Sequence, residues 1–296
     1  ISNYVNENTL TWRKKVGKHS FTALGGFTIQ GRKGTSFGAS AIQVPNDNLG
    51  VSGLDEGVPN VITSTSTSSN LASFLGRFDY NYKSKYLLTA SFRADGSSKF
   101  YTGNKWGYFP SAAASWRFSQ EDFMKPLRFI SDAKLRASAG VTGNNRVSDF
   151  AYMSTIDMSV TTAYPFNNQP SNAAVLGELR NLDLLWESTF QSDLGVDLSF
   201  LKDKITLSVD AYSKTTNDLL LYANLPPSLG YSRSFKNIGK VGNKGLEFSI
   251  YSMNLKTKNF SWSTNFNISL NRNKVIELAE NEEVLLSPVT WHSQFN

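Results

Sequence analysis

Apolar and polar positions alternate over most of residues 74–119. Phe74, Gly76, Phe78, Tyr80 and Tyr82 share one parity, and Leu75, Arg77, Asp79, Asn81 and Lys83 the other. After a tip at Lys83-Ser84-Lys85 the alternation resumes, with Tyr86, Leu88, Ala90, Phe92 and Ala94 against Leu87, Thr89, Ser91, Arg93 and Asp95. It returns with Tyr108, Ala112, Ala114, Trp116 and Phe118 opposed to Ser111, Ser115, Arg117 and Ser119. A period of two sustained over about ten residues is a β-strand with one apolar and one polar face. Similar runs recur over 10–16, 21–29, 135–141, 190–200, 205–211, 246–250 and 260–270, which makes about ten strands.

The connections between these runs alternate in length. Tight turns are expected at Gly17-Lys18, Ser84, Lys202-Asp203 and near Lys258. Long polar loops are expected over 31–70, 96–105, 143–185 and 215–243, with 64–70 almost wholly Ser and Thr. Ser119 is expected to cap a short helical piece that Pro126 ends. The short-long rhythm is that of an up-and-down transmembrane β-barrel, whose turns are short on one side and whose loops are long on the other. The long loops should therefore emerge together and carry any ligand or lid contact, because the strands face only lipid and lumen.

Composition sharpens this picture. The 296 residues are 40% hydrophobic, with a mean hydropathy of -0.30. No apolar run is long enough for a membrane-spanning helix, a finding that leaves barrels open because their strands alternate. Cysteine is absent, which excludes disulfides and thiolate chemistry within this chain. The net charge of +6 is spread over expected turns (Lys14, Lys15, Lys18, Lys83, Lys85, Lys202, Lys204, Lys256, Lys258), which reads as solvated turns and not as a nucleic-acid surface. Trp12, Tyr82, Tyr86, Trp116, Phe118, Phe200, Phe260 and Trp262 cluster near the short connections on the apolar parity. That placement fits an aromatic girdle at one membrane interface, with ordinary strand-end packing as the alternative. The pattern runs into both ends of the sequence, so the chain reads as a piece of a longer protein with no leader of its own.

Ordered motifs add a family. Arg93-Ala94-Asp95-Gly96-Ser97-Ser98-Lys99-Phe100, Asn104-Lys105-Trp106-Gly107-Tyr108-Phe109-Pro110-Ser111 with Trp116-Arg117, Glu121-Asp122-Phe123, the run from Lys134 to Asn144, Trp186-Glu187, and Asn237-Ile238-Gly239 to Gly245-Leu246-Glu247 follow one another at matching spacing. Together they resemble SusC/RagA-like TonB-dependent outer-membrane transporters of Bacteroidetes-type bacteria, over roughly residues 8 to 278. The resemblance implies an all-β, antiparallel barrel of the 22-stranded type, of which residues 1–296 are a part, with the N-terminal plug and final strands outside this chain. It implies import of a glycan, oligosaccharide or peptide, no enzymatic activity, and no cofactor. The implied partners are a SusD-like surface lipoprotein, TonB through the absent N-terminal region, and outer-membrane lipid. The rival reading is a soluble all-β carbohydrate-binding module.

Candidate chemistry is sparse. His19 and His292 are the two histidines, too few with no cysteine for a His/Cys metal cluster, and His19 beside a tight turn is a poor base for a Ser-His-Asp site. Gly239, Gly242 and Gly245 lack dinucleotide-loop spacing and precede a strand. Glu282-Glu283 and Glu121-Asp122 read as solvated pairs. The charged parity, led by Arg77, Asp79, Arg93, Asp95, Arg117 and Arg136 and joined by Asp193, Asp197, Asp210 and Glu247, is expected to face a wet lumen, the alternative being the outside of a soluble sheet. Tyr152, Tyr164, Phe166, Tyr231 and Trp291 are candidates for substrate or lid contact, with internal packing of the loops as the alternative.

Overall fold

The computed structural model describes residues 1–158, 164–166, 169–171, 174–231 and 233–277. Ten long strands form one antiparallel sheet: β1 (Ser2–Val16), β2 (His19–Ile42), β3 (Val58–Tyr82), β4 (Tyr86–Ser97), β5 (Trp106–Trp116), β6 (Ile130–Asn144), β12 (Glu187–Phe200), β13 (Ile205–Asn217), β16 (Lys240–Lys256) and β17 (Ser261–Glu277). Seven short strands lie in the connections: β7 (Ile156–Asp157), β8 (Tyr164–Phe166), β9 (Gln169–Ser171), β10 (Val175–Leu176), β11 (Glu178–Leu179), β14 (Leu220–Asn224) and β15 (Arg233–Asn237). Every neighbour in the main sheet is the next long strand along the chain, and β1 and β17 are its two edges. Among the described residues no pairing joins β1 to β17, so the sheet is open.

The register makes the two faces continuous. One lateral row runs Val16, His19, Tyr82, Tyr86, Trp116, Leu135, Val196, Val209, Phe248, Ile268 across all ten strands. The adjacent row runs Lys15, Ser20, Asn81, Leu87, Ser115, Arg136, Gly195, Asp210, Glu247, Ser269. The first row starts at the β1–β2 turn and ends mid-strand in β17, the progressive stagger of tilted barrel strands. Because successive side chains point to opposite faces, a slip of one residue would exchange these rows wholesale.

The expected short turns are present. Gly17 takes φ +58 at the β1–β2 turn, and Lys83 and Ser84 take positive φ at the β3–β4 turn. Leu201, Lys202 and Asp203 do so between β12 and β13. Thr257 and Phe260 close the last hairpin through Thr257 N to Phe260 O at 2.8 Å. Strict antiparallel order places these turns, with the 117–129 connection, at one end of the sheet and the longer connections at the other.

Three expectations about the connections need correction. Residues 31–70 are not a loop: β2 and β3 continue as a paired hairpin to Ile42 and Val58, capped by a 3₁₀ segment at Asp47–Glu56. Threonine is a good strand former, and main-chain pairing needs no apolar face. The loop placed at 143–185 is present as the β6–β12 connection and carries short strands of its own, whereas the one placed at 215–243 is shorter than expected, because β13 runs to Asn217 and β16 begins at Lys240. Ser119 caps nothing. The 118–124 stretch forms two 3₁₀ turns, Phe118–Gln120 and Asp122–Met124, preceded by Arg117 and Glu121 without a side-chain cap, while the Ser119 hydroxyl donates to Asp132 at 2.6 Å. Phe118 accordingly leaves the strand parity assigned to it.

Candidate functional site

The charged parity gathers into ion pairs on the face opposite Phe74, Phe78, Leu88, Phe92, Leu194 and Phe266, all of which are exposed. Arg77 holds Asp79 two residues along its own strand, at 2.9 Å, and Thr89 donates to the same carboxylate at 2.7 Å. Arg93 repeats the arrangement with Asp95 at 2.7 Å and reaches Ser73 at 3.1 Å. Arg117 grips Asp132 at 2.7 Å. Residues i and i+2 share one strand face, which is why the Arg77–Asp79 and Arg93–Asp95 pairs form locally, whereas Arg117 reaches a carboxylate fifteen residues on.

Arg136 does more. Its Nε donates to Asp197 at 2.7 Å and its Nη2 to Asp210 at 2.8 Å, so one guanidinium on β6 spans β12 to reach β13. It passes over Gly195, the residue opposite both Arg136 and Asp210. A Cβ at Gly195 would stand 2.7 Å from Arg136 Nη2 and closer still to Asp210 Oδ1, so only glycine leaves the crossing open. Ser208 donates to Asp197 at 2.8 Å and completes the network. Beside it a groove of about 600 Å³ is lined by Arg136, Gln191, Asp193, Tyr212, Lys214 and Glu247. The face as a whole offers paired charges, amides and hydroxyls, a surface suited to water and to polar cargo.

The loop end has a core of its own. Phe100, Val147 and Leu184 are buried, with Tyr152, Trp186, Leu220 and Phe235 packed around them. These residues come from the β4–β5, β6–β12 and β13–β16 connections, which interlock. Lys99 donates to Val147 O at 2.7 Å, Asn104 to Leu182 O at 3.2 Å, Trp186 Nε1 to Lys105 O at 3.0 Å, and Asn181 to Phe235 O at 2.9 Å. Asn237 is the knot: it accepts from Leu185 N at 2.8 Å and donates to Leu185 O at 2.9 Å and Asp218 O at 3.0 Å. Most of the sequence motifs converge on this junction.

Of the loop aromatics singled out in the sequence, Tyr152 is half-buried in this junction, its ring 5.7 Å from that of Tyr101. Tyr231 is half-buried at the start of the β15 approach. Tyr164 and Phe166 lie in β8, and their side chains fall outside what the structure describes, as do Trp291, His292 and Glu282-Glu283 altogether. Tyr152 belongs to the junction cluster, and Tyr231 is not among the residues packed against it. Sequence reasoning missed the junction residues Lys99, Asn181 and Asn237; the signal was the motifs themselves, whose shared destination no spacing reveals.

The opposite end carries the cluster of aromatic rings expected there, of which Tyr82, Phe118 and Phe200 are half-buried. Trp12, Tyr86, Trp116, Phe260 and Trp262 are exposed there on the apolar face. Glu121 is not merely solvated: it accepts from Tyr86 Oη at 2.7 Å, Trp116 Nε1 at 3.2 Å and Lys85 Nζ at 3.0 Å. The Tyr86 hydroxyl, with the other two donors, holds the Glu121 carboxyl down at about 2, and the carboxylate in turn raises the Lys85 ammonium. His19 Nδ1 lies 2.9 Å from the Tyr80 hydroxyl, among stacked rings and away from any Ser-Asp partner pair. Among the described residues, no group of three His, Cys, Asp or Glu side chains is placed to hold a metal ion.

Comparison with known proteins agrees with this geometry. Residues 2–283 match the family model described as TonB dependent receptor-like, beta-barrel. The chain is 40% identical over 281 residues to TonB-dependent receptor P39 of Formosa agariphila, covering 94% of this chain and 26% of that protein. It is 35% identical over 224 residues to TonB-dependent receptor SusC of Bacteroides thetaiotaomicron, covering 75% of this chain and 22% of the relative. The chain thus spans about a quarter of the length of these relatives. In fold it matches the RagAB peptide importer in its closed-closed state, with TM-score 0.84, 23% identity, and coverage of 97% of this chain and 31% of that one. The polar and apolar faces, the staggered rows and the interlocked loops are those of an outer-membrane barrel wall, and the chain belongs to the TonB-dependent receptor β-barrel family.

Proposed function

We propose that this chain is part of the wall of an outer-membrane importer that takes up an oligosaccharide or a peptide. The observation that carries the reading is the family match along nearly the whole chain, joined to identity with receptors named SusC and P39. In this reading the apolar face meets lipid, and Arg77, Asp79, Arg93, Asp95, Arg117 and Arg136 line the lumen. The short turns point to the periplasm and the interlocked loops to the outside. Strands outside this chain complete the barrel around a plug that TonB energises, and a SusD-like lipoprotein covers the loop end. A lumen wall on which Arg77, Arg93, Arg117 and Arg136 already hold carboxylates presents these residues as hydrogen-bonding groups, which suits hydroxyl-rich or amide-rich cargo.

The soluble carbohydrate-binding module has no support in the geometry: among the described residues no second sheet packs on the exposed apolar face. The test uses the full-length receptor purified in detergent with its lipoprotein partner. Titration calorimetry against oligosaccharide and peptide panels is expected to show binding to one class. A receptor that binds neither, but binds a ferric chelate, would overturn the proposal.

A further inference from the structure

The β5–β6 connection differs from the other short-turn crossings. It is a long segment, 117–129, that folds back over the apolar face. Its Glu121 is latched from that face by Tyr86 and Trp116. The Phe123 ring lies edge-on to Trp116 at 6.4 Å, and Phe129 stacks on Phe200 at 6.2 Å. Main-chain bonds fix its far end: Leu201 N donates to Phe129 O at 2.9 Å, and Lys202 N donates to Ser131 Oγ at 2.6 Å.

Held in this way, the segment still leaves its large apolar side chains uncovered. Phe123 is 61% exposed, Leu127 40% and Phe129 53%. Its acids are answered within the protein, Glu121 by Lys85 and Asp122 by Lys125. Arg128, between Leu127 and Phe129, is exposed and has no ion-pair partner among the described residues. Three exposed apolar side chains beside an exposed guanidinium with no ion-pair partner among the described residues form the layout of an interfacial element, apolar on the acyl side and cationic at the phosphates.

We infer that residues 118–129 form a lipid-binding foot. Phe123, Leu127 and Phe129 insert into the headgroup-acyl boundary of the periplasm-facing phospholipid leaflet, and Arg128 meets a lipid phosphodiester. The surface is continuous with the lipid-facing belt of Trp116 and Phe200, which is why lipid and not a protein is the occupant. The inference rests on the barrel orientation proposed above.

The test is site-directed spin labelling of the full-length receptor, in a cysteine-free background, reconstituted in phosphatidylethanolamine–phosphatidylglycerol vesicles. Single labels replace Phe123, Leu127, Lys83 and Phe266 in turn. The label at Phe266, on the sheet's apolar face, reports on the barrel reading: it should favour oxygen over a water-soluble nickel chelate. The label at Lys83, at a solvated turn tip, should favour nickel. Labels at 123 and 127 should favour oxygen, at a depth of about 5–10 Å. Nickel-dominated collisions at 123 and 127, as at 83, would overturn the foot while leaving the barrel intact. So would shielding from both reagents, which would mean that a protein covers it. Failure at Phe266 would instead reject the barrel reading. Arg128→Gln should reduce the retention of phosphatidylglycerol in the purified protein; unchanged retention would remove the phosphate contact.

Discussion

The two ends of the sheet solve the same problem by different means. Both must stop a set of antiparallel strands and satisfy the backbone that leaves them. The short-turn end does so piecewise, with left-handed residues such as Lys83 and Ser84, aromatic rings on the apolar face, and single bonds between neighbouring turns such as Leu201 N to Phe129 O. The loop end does so globally, through a small buried core and side-chain amides that tie connections distant in sequence. An end built from local pieces tolerates loss of any one piece. An end built from an interlocked core does not, because each member supports the others.

Phe100→Ala should have the largest effect. The ring is fully buried, and removal of such a ring costs about 3–5 kcal/mol. The loss should stay at the loop end: limited proteolysis is expected to open the 98–105 and 145–186 connections while the strands keep their protection from hydrogen exchange. Uniform loss of protection would show that the two ends are not separate units.

Gly195→Ala tests the wall between the ends. The added methyl collides with the Arg136–Asp210 crossing, and overpacking of this kind costs about 1–3 kcal/mol. Urea unfolding in detergent should shift accordingly. A neutral result would show that Arg136 swings aside freely. Asn237→Ala is expected to cost about as much or less. The Leu185 N–H and two carbonyls lose their partner, but these bonds are exposed and water replaces the lost partner, which leaves a net cost of about 0.5–1.5 kcal/mol. Exchange at Leu185 and Leu219 amides reads it.

The smallest effect belongs to Glu121→Gln, and it sharpens the contrast. The carboxyl titrates at about 2 in the folded chain against its usual 4.5. A lowered folded value means that the latch contributes fully above 4.5 and fades as pH falls toward 2. The protection of amides over 118–124, measured relative to the intrinsic exchange rate at each pH, should therefore fall through that window in the native chain. In the glutamine variant the fall should be smaller, with Asp122 and Asp132, both held below the usual carboxylate range by their partners, accounting for what remains, and loop-end protection should not respond to the substitution.

The strands were legible because alternation carries them. Where one face is apolar and the other charged, as in Tyr86–Ala94, period two leaves no second reading. The outer part of the β2–β3 hairpin was not legible for the same reason. From Ser64 to Asn70 both faces are polar, so the contrast that marks a strand disappears while the backbone pairing continues. The ion pairs Arg77–Asp79 and Arg93–Asp95 could be read from i, i+2 spacing; the Arg136 crossing could not, because it depends on register between three strands. Asn237 and Trp186 stood inside recognisable motifs, yet their partners are 52 and 81 residues away. Ser119 looked like a cap until Asp132 claimed its hydroxyl.

The β2–β3 hairpin has a mechanical consequence. β3 parts from β4 beyond Leu71 and runs on to Val58 beside β2, an overhang of roughly 40 Å at about 3.3 Å per residue. On the β4 side this length is a cantilever, anchored at its root by Ser98, which bonds the Asn70 backbone through both N–H and hydroxyl. On its β4 side the hairpin has, among the described residues, no neighbour in the sheet beyond Leu71 to share a load with. Any tilt of the wall at Leu71 would reach the 3₁₀ tip multiplied by that length.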